Sequence, residues 1–234
     1  MIQNVNDLYG YKLAAIDGEI GQIKDFYFDD HDWVIRYLVV ETGGWIGGRE
    51  VLLTPHSFGP FNQVSKVLPV HLTKKQIENS PPVEQHLPIS RQYETAYYQY
   101  YGLPNYWNGG SLWGAGAYPM VTNLDQWAAS RKLPPLSNRD RQLRSMREVT
   151  GYAIHTVDGE IGKVSGILVD DTHWVITELI VETGHWYAGK KIRLLPEHIE
   201  QINYLGFNVQ VNLTKEDLLT TAKGEVAHLV KRST

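Results

Sequence analysis

Cysteine is absent from this 234-residue chain, which removes disulfides, thiolate catalysis and Cys-ligated zinc or iron–sulfur centres from the candidate chemistries. Any metal would have to be held by His and carboxylate ligands. Also lacking is a run of eighteen or more apolar residues, so no segment reads as a membrane-spanning helix. The start, MIQNVNDLYG, carries neither the basic residues nor the apolar stretch of a signal peptide, and the expectation is a cytoplasmic protein. An excess of positive charge is missing as well. Lys and Arg number 22 against 26 Asp and Glu, with a pI near 6.1, which argues against a surface that tracks nucleic acid along its whole length. No Walker, HExxH or nucleophile-elbow pattern occurs.

What is present is a repeat. Laying Gly10-Tyr11 on Gly151-Tyr152 and reading forward without a gap puts DGEIG (Asp17 to Gly21) on DGEIG (Asp158 to Gly162). The same offset superposes Trp33-Val34-Ile35 on Trp174-Val175-Ile176, Glu41-Thr42-Gly43 on Glu182-Thr183-Gly184, and Pro55 on Pro196. Agreement at roughly half the positions over this length marks a duplicated unit, and two copies of a long period mean two domains rather than a solenoid. Three segments follow: repeat 1 over residues 1–80, a linker over 81–146 and repeat 2 over 147–234. Their formal charges are about −3, +2 and −3.

Each repeat reads as β. YKLAAI and YAIHTV are short strands, and Asp-Gly supplies a turn in which Gly18 or Gly159 takes a positive φ. WVIRYLVVET and WVITELIVET are the longest β-branched runs. About five or six short strands separated by turns suggest a small antiparallel barrel. Thr73-Lys74-Lys75-Gln76 fits a capping box, and Thr214 to Asp217 starts a similar helix, so each repeat is expected to end in a short helix. In the linker, Ser90 precedes RQYETAYYQYY, a helix near 90–101 whose tyrosines at 93, 97 and 100/101 fall near one face and pack on a barrel. The Gly- and aromatic-rich stretch that follows reads as a loop.

The glycine-rich ETGGWIGG loop invites a phosphate. Phosphate cradles, however, lead into a helix N-terminus, whereas these glycines lead into a strand. Gly43, Trp45 and Gly48 recur as Gly184, Trp186 and Gly189, which points to a structural turn. The Asp-rich turns before Trp33 and Trp174 offer too few converging oxygens for calcium. Asp17/Glu19 and Asp158/Glu160 sit in exposed turns where no pKa shift suited to catalysis is expected. No catalytic residue, cofactor or metal is assigned. The remaining candidate is a partner-binding surface in the linker. Tyr97, Tyr98, Tyr101, Trp107 and Trp113 are stacking rings, and Arg141 and Arg144, with Arg131, Lys132 and Arg139 nearby, are phosphate contacts.

The stretch REVTGYAIHTVDGEIGKVSGILVDDTHWVITELIVETGHWYAGKKIRLLP and its counterpart from Asp7 to Pro55 resemble the PRC-barrel domain. This family is named from the cytoplasmic domain of the photosynthetic reaction-centre H subunit and includes the C-terminal domain of a ribosome maturation factor. The linker sequence is similar to that of two-barrel bacterial members. The resemblance implies a six-stranded barrel used for protein contact or assembly, with no shared catalytic residue. Neither a membrane helix like the H subunit's nor an N-terminal domain like the maturation factor's is expected, since the barrel pattern already begins at Asp7. The resulting expectation is a mainly β bacterial protein of two small antiparallel barrels, each ending in a short helix. It would act as a non-enzymatic interaction or assembly adaptor, with barrel–barrel or barrel–linker packing inside the chain and a protein partner or homodimer outside it. Three alternatives stay open: an RNA- or ribosome-associated factor, a reaction-centre H-like accessory protein, and a small-ligand binder using the aromatic linker.

Overall fold

A computed structural model describes residues 1–44, 47–81, 91–103, 105–108, 143–184, 189–218 and 220. The chain is mainly β and divides into two compact units. Unit 1 comprises Met1, Leu8–Ser145 and Asp170–Val175; unit 2 comprises Ile2–Asp7, Met146–Val169 and Ile176–Thr234.

In unit 1, strands β2 (Lys12–Ala15) and β3 (Gly18–Asp29) form an antiparallel hairpin in which Ala15 faces Gly18. The loop between them is therefore the pair Ile16-Asp17. Gly18 takes φ 135°, a conformation that costs a glycine little. β4 (Val34–Glu41) pairs antiparallel with β3 and with β5 (Glu50–Leu53). The chain then turns at Pro55–Ser57 and returns as β6 (Val67–Pro69), which lies parallel to β2. Unit 2 repeats this order. β8 (Ala153–Thr156) and β9 (Gly159–Asp170) form the hairpin, and β10 (Val175–Thr183) pairs with β11 (Lys191–Leu194). β13 (Asn208–Val211) lies parallel to β8 and antiparallel to β12 (Ile199–Asn203).

The expectation of wholly antiparallel barrels is corrected in two respects. The β2·β6 and β8·β13 pairs are parallel, because the hairpin after the Pro55 or Pro196 turn reverses the chain once more before it reaches the first strand. The hydrogen-bonded path is also open: among the described residues no ladder joins β5 to β6 or β11 to β12.

Turn chemistry is local and recurs. Asp17 Oδ1 accepts the Lys74 N–H at 2.8 Å, and Asp158 Oδ1 accepts that of Lys215 at 3.0 Å. The hairpin aspartates thus hold the start of the closing helix. After the single turn α1 (Val5–Leu8), the next helix, α2 (Lys74–Glu78), opens with the capping box of Thr73 and Gln76. At residues 215–218, Asp217 takes the role of Gln76, its Oδ2 accepting the Thr214 N–H at 3.2 Å. The Asp-rich turns end in tryptophans with left-handed backbone, φ 58° at both Trp33 and Trp174. Such a φ is uncommon for a bulky residue, and burial holds it. Trp33 stacks on Phe28, and Trp174 packs on Phe58 and Phe61 within unit 1.

The ETG loops are closed by the same bond in both units. Thr42 Oγ1 donates to the Arg49 carbonyl at 2.6 Å and Thr183 Oγ1 to that of Lys190 at 2.7 Å. Gly43, Gly48 and Gly189 take φ between 60° and 72°. Gly184 does not: it lies outside the left-handed region, and nothing stands within 4 Å of a Cβ built there. Its carbonyl still accepts the Gly189 N–H at 3.2 Å, so it takes part in the turn without a backbone that requires glycine. Trp45 and Trp186 lie outside the described residues.

Candidate functional site

β4 and β10 show how one scaffold acquires two surfaces. In β10, buried and partly exposed residues mix, as a strand with one solvated face requires, whereas β4 is buried at every residue from Val34 to Val40. The second face of β4 is covered by helix α3 (Arg91–Tyr101) and the short turn Tyr106–Asn108. Tyr97, Tyr98, Tyr106 and Leu143 pack with Tyr37, Val39 and Leu52 into one buried cluster, with Tyr27, Tyr101, Leu103 and Trp107 at its margin. The packed stripe is Glu94, Tyr97, Tyr98 and Tyr101, the i, i+3, i+4, i+7 spacing of a helix face. This corrects the expected face: Tyr98 is inside it, and Tyr100 is 42% exposed, its hydroxyl donating to the Gln76 carbonyl at 2.9 Å. The Tyr93 side chain lies outside the description.

The cluster is polar as well as aromatic. The Arg36 guanidinium is fully buried, 3.0 Å from Asp32 Oδ2 and 3.7 Å from Asp29 Oδ2. It lies 3.8 Å from the centre of the Tyr106 ring, and a desolvated contact of this kind is worth about 2 kcal/mol. Tyr106 donates its hydroxyl to Glu94 Oε1 at 2.6 Å. Glu94 is itself buried, and Tyr37 reaches the same oxygen at 3.5 Å. Burial, reinforced by the Glu94 charge, pushes the Tyr37 phenol well above its usual range, so it stays a neutral donor. Tyr97 uses its hydroxyl oxygen to accept the Thr54 N–H at 3.1 Å. The rings meet largely edge to face, with Tyr37 and Tyr97 5.1 Å apart at 85° and Tyr98 and Trp107 5.5 Å apart at 69°. Such pairs contribute about 0.5–1.5 kcal/mol each beyond their burial.

The turn Asp29-Asp30-His31-Asp32 aims this network. Asp29 Oδ1 accepts the His31 N–H at 3.0 Å and the Asp32 N–H at 3.3 Å, which orients its other oxygen toward Arg36. The acidic turn therefore serves an arginine. Among the described residues no group of three or more His, Asp or Glu is arranged to hold a metal ion.

His56 borders the cluster at 6.2 Å from Tyr98. Burial and then the Arg36 charge lower its pKa to about 4, against about 6.5 in the unfolded chain. Between these values the unfolded chain binds more protons. The stabilisation from neutral His56 is therefore complete above about pH 6.5 and is lost as pH falls toward 4, with a ceiling of about 3 kcal/mol. We predict that His56→Gln removes this component of the acid destabilisation. Urea midpoints for both proteins from pH 7 to 4 check this, and parallel curves would reject it.

The sequence-level candidates divide accordingly. Tyr97 and Tyr98 are fully buried, so neither ring offers a face for stacking a base, which corrects their assignment as contact surfaces. Tyr101 and Trp107 are half-buried at the cluster margin, and burial raises the Tyr101 phenol to about 12. Arg144 is half-buried in the short strand β7 (Arg144–Ser145), opposite Phe28. Trp113 and Arg141 lie outside the described residues.

Sequence reasoning missed Arg36, Glu94 and Tyr106. The signal lay in the differences at positions matched by the sequence offset: Arg36 stands against Thr177, Tyr37 against Glu178, Leu52 against Arg193 and His56 against Glu197. In unit 2, Glu178 and Arg193 form an ion pair at 3.2 Å with Arg193 51% exposed. The face that takes aromatic rings in unit 1 is thus charged and open to solvent in unit 2, among the described residues.

Comparison with known proteins bears on the start of the chain. Residues 3–77 match the family model of the PRC-barrel domain, so this stretch carries that domain. No curated protein matches the chain. Among the described residues, no helix is long and apolar enough to cross a membrane.

Proposed function

We propose that the protein is an interaction or assembly adaptor built from two PRC-type repeats, residues 1–80 and 147–234, joined by the aromatic segment 81–146. The reading includes no catalytic step. The observation that carries it is the pair of β4- and β10-type faces. On the first repeat the outer face holds a tyrosine helix in a fully buried seat. On the second, the matched positions are Glu178, Arg193 and Glu197, with Glu197 64% exposed. A scaffold whose matched faces differ in this way is suited to holding different partners: the first is occupied by the chain itself, and the second suits a protein surface of complementary charge.

The test is affinity capture of the full-length chain from native lysate with and without nuclease, comparing wild type with Glu178→Arg/Arg193→Glu. The expected result is a defined protein partner that survives nuclease and is lost on charge reversal. Capture that vanishes with nuclease would favour the RNA-associated reading instead, and capture indifferent to charge reversal would remove the face from the proposal.

A further inference from the structure

Strand β1 (Ile2–Asn4) belongs to the first repeat by sequence, and the PRC-barrel match begins at Gln3. Its counterpart under the repeat offset is Leu143–Ser145, which contains β7. In the fold the two segments are exchanged. β1 pairs with β9 in unit 2, and β7 pairs with β3 in unit 1, Tyr27 opposite Ser145 and Phe28 opposite Arg144. The need for a donated strand follows from length. β3 and β9 each have 12 residues, but β2 pairs only with Gly18–Gln22 and β8 only with Gly159–Lys163. The rest of that edge would expose unpaired N–H and C=O groups.

Either donor would cover either edge by backbone bonding alone, so the side chains must choose. We propose that the far edges of β3 and β9 are strand-receiving sites of different specificity, keyed by one matched pair of positions: Asp25 receives Ser145, and Gly166 receives Asn4. In unit 1 the Ser145 hydroxyl donates to Asp25 Oδ2. At the equivalent place in unit 2 the receiver has no side chain. A Cβ on Gly166 would stand 3.2 Å from both Asn4 amide atoms and 3.3 Å from Ile180 Cδ1. The Asn4 amide thus stands against the place where the matched position, Asp25, carries a side chain. Asn6 fastens the same donor, its amide donating to the Ser165 carbonyl at 2.9 Å. Mispairing fails on both sides. Asn4 on β3 would press its amide into the Asp25 carboxylate, and Ser145 on β9 would leave a gap and an unmatched hydroxyl.

Two measurements on the full chain test this. Because the chain has no cysteine, introduced pairs report pairing without background. Asn4→Cys/Gly166→Cys and Asp25→Cys/Ser145→Cys are expected to oxidise to intrachain disulfides, and Asn4→Cys/Asp25→Cys and Ser145→Cys/Gly166→Cys are not. Dominant 4–25 or 145–166 links, or links between two copies of the chain, would overturn the proposal. The keys are tested by hydrogen exchange. Swapping receivers alone (Asp25→Gly/Gly166→Asp) should lower protection of residues 2–4 and 143–145 at least tenfold. Swapping donors as well (Asn4→Ser/Ser145→Asn) should restore it. Protection within twofold of wild type after the receiver swap, or no recovery in the fourfold variant, would show that the side chains do not direct the exchange. Should the receiver swap fail to fold, recovery of a folded fourfold variant remains the deciding result.

Discussion

Gly21→Ala is expected to cost about 3 kcal/mol or more and to lower Tm by roughly 6–12 °C, with Gly162→Ala doing the same in the second repeat. A Cβ on Gly21 would lie 1.9 Å from the Glu41 carbonyl oxygen and 2.9 Å from the Thr42 Cα. On Gly162 it would lie 2.1 Å from the Glu182 oxygen and 2.8 Å from the Thr183 Cα. These neighbours are backbone, at the end of the strand that runs into the ETG loop, and no rotamer change relieves the contact. Each glycine also adjoins a register shift in its hairpin, where the long strand closes on its neighbour. The informative comparison is Gly43→Ala. Gly43 has a positive φ but nothing within 4 Å of a Cβ, so the cost there is the left-handed backbone alone, about 1–2 kcal/mol. Thermal and urea melts of the three variants decide it. A Gly21→Ala protein melting within about 2 °C of wild type would show that the strands separate more easily than the geometry requires.

Arg36→Ala should destabilise the protein by about 3–5 kcal/mol, because truncation leaves two buried carboxylates, Asp29 and Asp32, without their cation. It also removes the cation from the face of the Tyr106 ring. The loss should therefore reach α3, read as faster amide exchange over residues 94–101. Arg36→Met with Asp29→Asn and Asp32→Asn should recover most of the stability, since a neutral, volume-matched replacement of a buried ion group is often nearly neutral. A loss below about 1 kcal/mol for Arg36→Ala, or no recovery in the triple variant, would mean that the network contributes little to docking the helix.

Much of the fold was legible because the sequence of unit 2 matches that of unit 1 at many positions. Asp17 and Asp158, Trp33 and Trp174, and Thr73 and Thr214 recur at one offset, and a turn or cap needed in both copies declares itself twice. The helix at Arg91–Tyr101 was legible from its run of tyrosines, but its face was misread by one position. Counting tyrosines alone overlooked Glu94, whose burial is made tolerable by Tyr106 and Tyr37, one of them on a strand far away in sequence. The parallel β2·β6 pair was not legible. Strand patterns report which side chains are buried, and a parallel and an antiparallel neighbour bury the same ones. Gly21 and Gly162 were hidden for a related reason: within DGEIG a glycine forced by a close backbone looks the same as one chosen for its turn.

Local bonding reaches only a few residues, so hairpin loops, capping boxes and strand boundaries follow from the residues beside them and could be read along the chain. The destination of each donated strand is a different kind of question. β1 and β7 are both short extended segments, β3 and β9 present equivalent edges, and backbone hydrogen bonds are indifferent to which donor fills which edge. The choice rests on small differences between near-identical surfaces, Asp25 against Gly166 and Ser145 against Asn4. Residues so distant in sequence acquire a meaning only when folding puts them side by side.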